Sequence, residues 1–360
     1  MSELPRIKVA AIHAAPVFLD KRATAEKAVD LIAEAARQGA DLVVFPESYL
    51  PAFPVWAALW APLYNHDLFA RMVANSVSVP GPEIRMIATE ARKRGVFVSL
   101  GISERSPVSV GCIWNSNLLI DDNGQIINHH RKLVPTFFEK MVWAPGDGAG
   151  LQVSDTRIGR IGALICGENT NPLARYALMA QGEQIHISTW PPIWPTRAPR
   201  SGGNYDNVAA NRTRAAAHSF EAKAFSIVCA GVMDRAMRDF LVDRDPTVAD
   251  ILDETPRAAS LLIDPTGTQI GDALQDGEGI LTGELDLNAC IEPKQFHDVV
   301  GYYNRYDVFD LRVTRSRTRV ISFIDDEPTG IPTLGNEPDT AEGQAPAARH
   351  GKLAESPLSD

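Results

Sequence analysis

Short apolar runs of strand length alternate along this chain with segments whose apolar residues recur at helical spacing. Residues 6–12, 42–45 and 96–101 are typical of buried strands. Residues 24–37 and 83–94 have helical spacing, and a glycine follows each of them closely, as at many helix ends. Strands that alternate with helices build a sheet covered by helices, so the pattern predicts an α/β fold.

The second half of the chain repeats this order of elements. Strand-like residues 160–165, 184–188 and 225–230 alternate with helix-like residues 172–181 and 207–223. Each half contains a similar hairpin pattern, SNLLIDDNGQII in the first and ASLLIDPTGTQI in the second. A shared Asp-x-x-Gly turn is common by itself. The repeated order of the flanking elements nevertheless favours a core of two sheets related by pseudo-twofold symmetry.

Charge and hydropathy argue against several classes of partner. The formal net charge is −10 and no Lys/Arg-rich run is present, so we expect no nucleic-acid and no membrane partner. No apolar stretch approaches the roughly 20 residues of a membrane helix, and the first residues lack the apolar core of a secretory signal. We therefore expect a soluble, cytoplasmic protein.

The last part of the chain differs in composition from the rest. Residues 325–360 are rich in Pro, Gly, Asp and Glu and nearly devoid of large apolar residues. Such a segment buries too little surface to fold alone. The sequence therefore predicts one folded domain over residues 1–324 and a flexible tail over residues 325–360.

One of the four cysteines stands apart from the others. Cys112, Cys166, Cys229 and Cys290 are far apart and form no CxxC pair, which argues against a zinc site or a redox dithiol. A free cysteine is by default a small buried hydrophobe. Cys166, however, follows a buried strand and precedes Gly167 and a predicted helix. This layout is typical of an exposed nucleophile, and the nearby helix N-terminus would favour its thiolate.

Two other segments carry ionisable groups at the ends of predicted strands. Glu47 lies in FPESYLP, directly after an apolar strand, and Lys132 lies in HHRKLVPT, with Glu139 seven residues later. Taken singly, the Glu47 segment is also compatible with a surface loop, and the Lys132 segment with a solvated basic strand. The adjacent His129 and His130 point to opposite faces of a strand, so we expect no metal site there.

These three segments, in this order, resemble the nitrilase (carbon–nitrogen hydrolase) superfamily, whose members use a Glu-Lys-Cys triad. The resemblance covers roughly residues 5–320 and implies a four-layer α-β-β-α sandwich with pseudo-twofold symmetry. It makes Cys166 the nucleophile, Glu47 the general base and Lys132 the group that stabilises the developing charge. Glu139 matches a second glutamate of the family that holds Lys132. An aromatic-rich insert over residues 53–64 and the segment GYYNRYDVFDLRV favour the nitrilase branch.

The resemblance implies hydrolysis of a small organic nitrile, aromatic or arylaliphatic, to a carboxylic acid and ammonia. An amidase of the same superfamily is the first alternative, and nitrile hydration that stops at the amide is the second. A binding or filament protein that kept the fold is a third, although it would be expected to lose a triad member. No metal and no organic cofactor is expected. The family also implies a homo-oligomer, either a dimer or a larger spiral.

The substrate pocket is the least constrained part of the interpretation. The candidate binding residues are Tyr49, Phe53, Trp56, Gly167 and Trp190, although core packing is a common role of aromatic side chains. Gly167 departs from the family, in which nitrilases usually have Trp directly after the cysteine. Glu168 either orients the turn at Cys166 or lies at the surface, and the sequence leaves both open.

Overall fold

The computed structural model describes residues 4–198, 201–317 and 321. The predicted tail, residues 325–360, lies outside the described residues. Twelve strands are described in these ranges: β1 Arg6–His13, β2 Leu42–Val44, β3 Phe97–Arg105, β4 Ile113–Ile120, β5 Ile126–Arg131, β6 Ser154–Thr156, β7 Gly159–Ile165, β8 Ile185–Trp190, β9 Phe225–Ala230, β10 Ser260–Ile263, β11 Gln269–Leu274 and β12 Gly279–Asp286.

The helices of the described residues are mostly short. They are α1 Lys21–Arg37, α2 His66–Asn75, α3 Pro82–Arg94, α4 Pro172–Met179, α5 Asn207–Ala222, α6 Arg235–Arg244, α7 Ala249–Glu254 and α8 Ile291–Phe296. None of the helices in this part of the chain has the length and apolar character that crossing a bilayer requires.

Two six-stranded sheets have the same pattern of pairing. The first has the order β12-β1-β2-β3-β4-β5 and the second β11-β10-β9-β8-β7-β6. Three central strands are parallel in each sheet, β1-β2-β3 and β7-β8-β9, and an antiparallel hairpin follows them, β4-β5 and β10-β11. A further antiparallel strand, β12 or β6, pairs on the other side. The repeated element order in the sequence therefore corresponds to a repeated sheet topology.

The sheets pack face to face through an apolar layer. Val9 and Val44 of the first sheet and Ile187 and Ile227 of the second belong to one fully buried cluster. On the outer face of the first sheet, α1 and α3 cover a second cluster. The outer face of the second sheet is covered by α4 and α5. These layers confirm the predicted four-layer α-β-β-α sandwich.

Element boundaries differ from the prediction where side chains cap or extend an element. Helix α1 begins at Lys21 rather than at residue 24, because the side chain of Asp20 accepts a hydrogen bond from the backbone of Ala23. Strand β3 continues to Arg105 rather than ending at residue 101, because it pairs along its length with β4. Helices α2, α6, α7 and α8 were not predicted.

Candidate active site

Three strand ends supply the candidate triad. Glu47 follows β2, Lys132 directly follows β5, and Cys166 directly follows β7. The first two strands belong to one sheet and the third to the other. Packing of the sheets therefore brings together side chains that lie 34 or more residues apart in the chain, Lys132 and Cys166 being the nearest pair.

Lys132 connects two buried carboxylates. Its Nζ donates to Glu47 Oε1 at 2.7 Å and to Glu139 Oε2 at 2.6 Å. The exposed fractions of Lys132, Glu47 and Glu139 are 1%, 2% and 0%. An ammonium has three donors, so these two bonds leave one N–H for a further acceptor.

The sulfur of Cys166 lies beside both carboxylates. Its Sγ and one oxygen each of Glu47 and Glu139 lie within 4.8 Å of one another. Cys166 has a φ of 53°, in the left-handed region that residues with a side chain rarely adopt. Backbone strain of this kind is typical of functional positions, where it turns a side chain towards a site.

Burial sets the pKa values of the charged pair. Removal from water, assisted by the nearby charge of Glu139, raises the pKa of Glu47 to about 7, although Lys132 opposes this. Burial alone would lower the pKa of Lys132, but the negative charges of Cys166, Glu139 and Glu47 raise it well above its usual value. Glu47 can therefore exchange a proton near neutral pH while Lys132 stays charged.

The thiol of Cys166 needs a base to lose its proton. Burial raises the pKa of Cys166 well above its usual value, and the charge of Glu47 raises it further, while Lys132 and the backbone N–H of Gly167 act in the opposite direction. The sequence predicted that a nearby helix N-terminus would favour the thiolate of Cys166. Helix α4, however, begins only at Pro172, six residues after Cys166, and the effect of a helix N-terminus is confined to its first turn.

Glu168 fixes the turn that presents Cys166. Its carboxylate is buried and accepts hydrogen bonds from the backbone N–H groups of Ile165 at 2.9 Å and Leu133 at 2.6 Å. The His130 ring also contacts it at 2.9 Å. Burial acts to raise the pKa of Glu168, but His130 and the backbone donors outweigh it and hold that pKa below its usual value. Of the two roles left open for Glu168, the structure supports orientation of the turn.

A second buried network supports the same turn from the other side. The Asn169 amide donates to the carbonyl of Cys166 at 3.0 Å, and its Oδ1 contacts His186 Nε2 at 2.8 Å. His186 Nδ1 lies 2.8 Å from Glu183, whose other oxygen lies 2.7 Å from His218 Nε2. The carbonyl of Cys166 is thus connected to β8 and α5.

Glu139 is held in place by its own helical turn. It forms a capping box with Thr136 at the start of the short 3-10 helix Phe137–Met141, and its Oε2 accepts from the Thr136 backbone at 2.8 Å. On the opposite side, Asn115 of β4 donates to Glu47 Oε1 at 2.7 Å. Each carboxylate therefore has a second donor besides Lys132.

Two groups of buried side chains have the spacing of a metal site within the described ranges 4–198, 201–317 and 321. One consists of Glu47, Glu139 and Cys166, and the other of Glu183, His186 and His218. In the first group Lys132 already supplies a positive charge between the carboxylates. In the second group the Glu183 oxygens are already hydrogen-bonded to the two rings. Both arrangements favour the existing contacts over a cation.

A small cavity of about 40 Å³ opens onto Cys166. Its walls include two of the five predicted substrate-binding residues, Gly167 and Trp190. Trp194, Tyr205 and Arg214, which the sequence interpretation did not single out, also line it. Arg214 lies in a segment that the sequence marks only as a helix, and only the packing of α5 against the sheet brings it to the cavity.

The other three predicted binding residues lie outside the walls of this cavity. Tyr49 is 1% exposed, packs on Phe45, and directs its hydroxyl to the carbonyl of Ala15. Phe53 and Trp56 belong to a buried cluster in which Phe53 contacts the ring of Trp143. The packing thus assigns these three aromatics to the core and not to the cavity wall, because their rings are already surrounded by apolar neighbours.

Gly167 allows a close approach of Thr136. A Cβ atom at Gly167 would lie 2.6 Å from Thr136 Oγ1, well inside van der Waals contact. Any larger side chain would have to displace Thr136, which is tied to Glu139 by the capping box. A side chain as large as the Trp that nitrilases usually have at this position would therefore collide with Thr136, and Gly167 avoids that collision.

The two-sheet sandwich with Glu47, Lys132 and Cys166 at its strand ends agrees with a known family. The carbon–nitrogen hydrolase family profile matches residues 8–295. This chain belongs to the carbon–nitrogen hydrolase family. It is a hydrolase that acts on carbon–nitrogen bonds.

Curated relatives of the chain carry nitrilase names. Nitrilase 2 from an unknown prokaryotic organism is 35% identical over 325 residues, which cover 89% of this chain and 97% of that protein. An arylacetonitrilase of Hypocrea virens is 34% identical and covers 88% of this chain and 94% of its own length. An aliphatic nitrilase of Rhodococcus rhodochrous is also 34% identical, with coverage of 88% and 84%.

Solved structures agree with the fold. The Nit3 protein of Saccharomyces cerevisiae, described as a member of branch 10 of the nitrilase superfamily, has a TM-score of 0.63 to this chain. It is 19% identical, and the match covers 84% of this chain and 97% of that one. At this identity the likeness concerns the fold alone, and it agrees with the pair of six-stranded sheets described above.

Proposed function

We propose that this protein is a nitrilase that converts an organic nitrile and two waters to a carboxylic acid and ammonia. The observation that carries the proposal is the buried contact of Lys132 with Glu47 and Glu139 beside the sulfur of Cys166. The nitrilase names of relatives that align over most of the chain support the same reaction.

Glu47 is the proposed base for the first step. Its Oε1 accepts from Lys132 and Asn115, whereas its buried Oε2 has no hydrogen-bond partner within residues 4–198, 201–317 and 321. Oε2 is therefore the oxygen free to take the thiol proton. A pKa of about 7 matches this task, because roughly half of the carboxylate is then ionised at neutral pH and it is basic enough to accept a proton.

Lys132 is the proposed stabiliser of charge on nitrogen. As sulfur bonds to the nitrile carbon, the nitrile nitrogen becomes negative and takes up the proton delivered through Glu47, which gives a thioimidate. The third N–H of Lys132, left over by the two carboxylates, can face that nitrogen. Such a donor in a buried site stabilises the developing charge more strongly than the same donor would in water.

Two waters complete the proposed cycle. The first adds to the thioimidate carbon and gives up a proton to Glu47, and the tetrahedral species then expels ammonia and leaves a thioester on Cys166. The second water attacks the thioester, releases the carboxylic acid and returns the thiol. Release of the amide from the tetrahedral species, by loss of sulfur instead of ammonia, uses the same groups and is the competing outcome.

The cavity walls support an aromatic or arylaliphatic substituent on the nitrile. Trp190 and Trp194 line the cavity, and Trp194 also contacts the rings of Tyr205 and Phe138 at centroid distances of 5.9 Å. Flat aromatic walls of this kind favour a flat or short apolar group. Both an arylacetonitrilase and an aliphatic nitrilase occur among the relatives, so substrate preference must be measured.

A panel of nitriles and their matching amides tests the proposal. Ammonia, acid and amide are measured for the unmodified protein and for Cys166→Ala. We expect nitriles to give acid and ammonia, and we expect the variant to lose turnover. Turnover of amides alone would replace the nitrilase assignment by an amidase, and turnover that survives in Cys166→Ala would remove the nucleophile assignment.

We also infer that the protein is a homo-oligomer. Large aromatic side chains between residues 302 and 309 are strongly exposed: Tyr302, Tyr303, Tyr306 and Phe309, each at 68–74%. Exposed aromatic groups that follow one another in this way are typical of protein interfaces. Light scattering coupled to size-exclusion chromatography should give a mass above that of one chain, and a monomer at micromolar concentration would contradict this inference.

Cysteine usage supports a cytoplasmic location for this activity. All four cysteines are free thiols, and three of them are buried. Free thiols persist in a reducing compartment, whereas secreted proteins tend to pair them. Fractionation of the source cells should recover the protein with cytoplasmic markers, and its recovery from the medium would contradict this location.

A further inference from the structure

One wall of the cavity at Cys166 carries a cation. Arg214 of α5 lines that cavity and is half-buried. Its guanidinium lies over the ring of Trp190 at 5.3 Å and over that of Tyr205 at 5.7 Å from the centroids. These two rings orient the guanidinium plane at the cavity edge.

The hydrogen-bond partners of Arg214 are all neutral. Its Nε donates to Thr170 Oγ1 at 2.7 Å, and its Nη1 donates to the Tyr205 hydroxyl at 2.6 Å. A longer bond of 3.4 Å reaches Asn211 Oδ1. Within residues 4–198, 201–317 and 321, Arg214 forms no ion pair, and its Nη2 makes no hydrogen bond.

Several half-buried arginines of the described residues are paired with carboxylates, although Arg257, which lies outside this cavity, forms no ion pair there either. Arg175, which packs below α5, contacts Glu221 at 2.6 Å, and Arg131 contacts Glu104. An uncompensated guanidinium in a confined site is costly, because the charge loses water without gaining a counter-ion. Arg214 is therefore the cavity group that most requires a negative partner.

Neighbouring donors on the same wall also lack acceptors. The buried Nε1 of Trp194 has no hydrogen-bond partner within the described ranges. The Tyr205 hydroxyl accepts from Arg214, so its own proton is available to donate. A neutral nitrile with an apolar substituent would offer these donors no acceptor, whereas a carboxylate has two oxygens that can accept from Nη2 of Arg214 and from a neighbouring donor.

We propose that the preferred substrate is a nitrile that also carries a carboxylate, and that Arg214 binds this carboxylate while the nitrile carbon faces Cys166. The inference rests on the nitrile hydrolysis proposed above and specifies its substrate class. The small volume of the cavity, about 40 Å³, favours a short spacer between the two groups. The reaction would then release a dicarboxylic acid and ammonia.

Matched substrate pairs test this without any variant. 3-Cyanopropanoate is compared with 3-cyanopropanamide, and 4-cyanobenzoate with 4-cyanobenzamide, by following loss of the nitrile by chromatography. We expect kcat/KM to be larger for the acid of at least one pair by about tenfold or more, since the matching amide can form only a neutral contact where the acid forms a charge-assisted one. Equal values, or a preference for the amides, in both pairs would overturn the proposal.

Arg214→Gln identifies the residue responsible. We expect the acid-to-amide ratio of kcat/KM to fall close to one, mainly through KM for the acid, and Arg214→Lys to retain part of it. Arg212→Gln, an exposed arginine of the same helix outside the cavity walls, is the matched control and should leave the ratio unchanged. A ratio that persists in a folded Arg214→Gln would assign Arg214 only to support of the aromatic wall.

The outcomes distinguish an error in the proposed nitrile hydrolysis from an error in the role of Arg214. If neither member of any pair is consumed, while benzonitrile and phenylacetonitrile are also left intact, then nitrile hydrolysis itself is wrong. If neutral nitriles are hydrolysed and the acids are not preferred, then nitrile hydrolysis stands and the role of Arg214 is overturned. Should Arg214→Gln and Arg214→Lys both fail to fold, the wild-type ratio still decides the substrate class.

Discussion

At the scale of single residues, the site combines one cation and two carboxylates, all of them buried. One ammonium, Lys132, lies between two carboxylates that are almost fully removed from water. Burial raises the pKa of Glu47, the charge of Glu139 adds to this effect, and Lys132 only partly opposes it. The resulting pKa of about 7 is the basis for proposing Glu47 as the group that accepts the thiol proton.

The pH dependence of turnover should report the ionisation of Glu47. Protonation of this carboxylate below its pKa of about 7 removes the base, so kcat/KM should fall as the pH falls through about 7. The measurement is kcat/KM for one nitrile between about pH 5 and about pH 9 with constant ionic strength. A profile that stays level on the acid side of neutrality would count against Glu47 as the base.

Gly167 provides a steric prediction. Gly167→Ala should destabilise the fold by about 1–3 kcal/mol, because its Cβ must displace Thr136 Oγ1. In a Thr136→Ala background most of that additional cost should disappear. Chemical denaturation of the wild type, both single variants and the double variant measures this cost. Gly111→Ala is the control, since no atom lies within 4 Å of a Cβ placed there. Equal costs in both backgrounds would show that Thr136 is not the obstacle.

Much of the triad was readable from the sequence because each member occupies its own segment at a strand end. Glu47, Lys132 and Cys166 are predicted in this way, and the structure brings them together. Arg214 and Asn115 could not be predicted as site residues in this way. Arg214 lies within helix α5 and Asn115 within strand β4, and no local sequence motif distinguishes either of them. Tyr49 was expected among the aromatic residues of the substrate pocket, but its ring is buried against Phe45 in the core.

At the scale of elements, a buried network joins β8, α5 and the turn after β7. Glu183 and His218 lie in its centre, and Asn169 connects it to the carbonyl of Cys166. Burial lowers the pKa of His218 to about 4, the charge of His186 adds to this, and Glu183 only partly opposes it. The folded protein therefore keeps His218 neutral over a pH range in which the unfolded chain protonates it.

Stability against acid should reflect this titration. Between pH 6.5, the ordinary pKa of histidine, and about 4 the unfolded state binds a proton that the folded state does not. The free energy of unfolding should therefore fall as the pH falls through this window. His218→Gln should reduce that slope, and His66→Gln, at an exposed position, should not. Denaturant titrations at several pH values measure the slopes, and equal slopes for wild type and His218→Gln would contradict the assignment.

Element types were more predictable than element limits. The apolar periodicity was sufficient to predict α1, α3, α4, α5 and the central strands, because each of them buries a continuous apolar face. Helices α6 and α7 were missed because residues 235–254 are rich in charged groups, and only Met237, Leu241, Val248 and Leu252 are buried. Such short helices are fixed by tertiary contacts and not by propensity.

At the scale of the whole molecule, the site depends on the contact between two sheets of equal topology. Glu47 and Lys132 come from one sheet and Cys166 from the other, so their distances are set by the apolar layer between the sheets. The repeated hairpin in the sequence indicated this symmetry. It could not indicate which faces of the two sheets meet, because both faces of the central strands are apolar.

Loss of volume in that layer should affect stability strongly. Ile187 is fully buried between the sheets, so Ile187→Ala should lower the free energy of unfolding by about 2–5 kcal/mol through lost transfer energy and a residual cavity. Ile291→Ala removes the same atoms from a side chain that is 57% exposed and is the matched control. A cost for Ile187→Ala below that of the control would argue against the tightly packed layer.

The proposed mechanism requires a covalent bond between the substrate and Cys166. Rapid acid quenching of the protein during turnover of a nitrile, followed by mass measurement of the intact chain and its peptides, tests that bond. We predict an adduct of the thioimidate or thioester mass on Cys166, present in Cys229→Ala and absent in Cys166→Ala, with no ammonia formed by the latter. Turnover without any adduct at Cys166, together with ammonia release by Cys166→Ala at the wild-type rate, would contradict the role of Cys166 as the nucleophile.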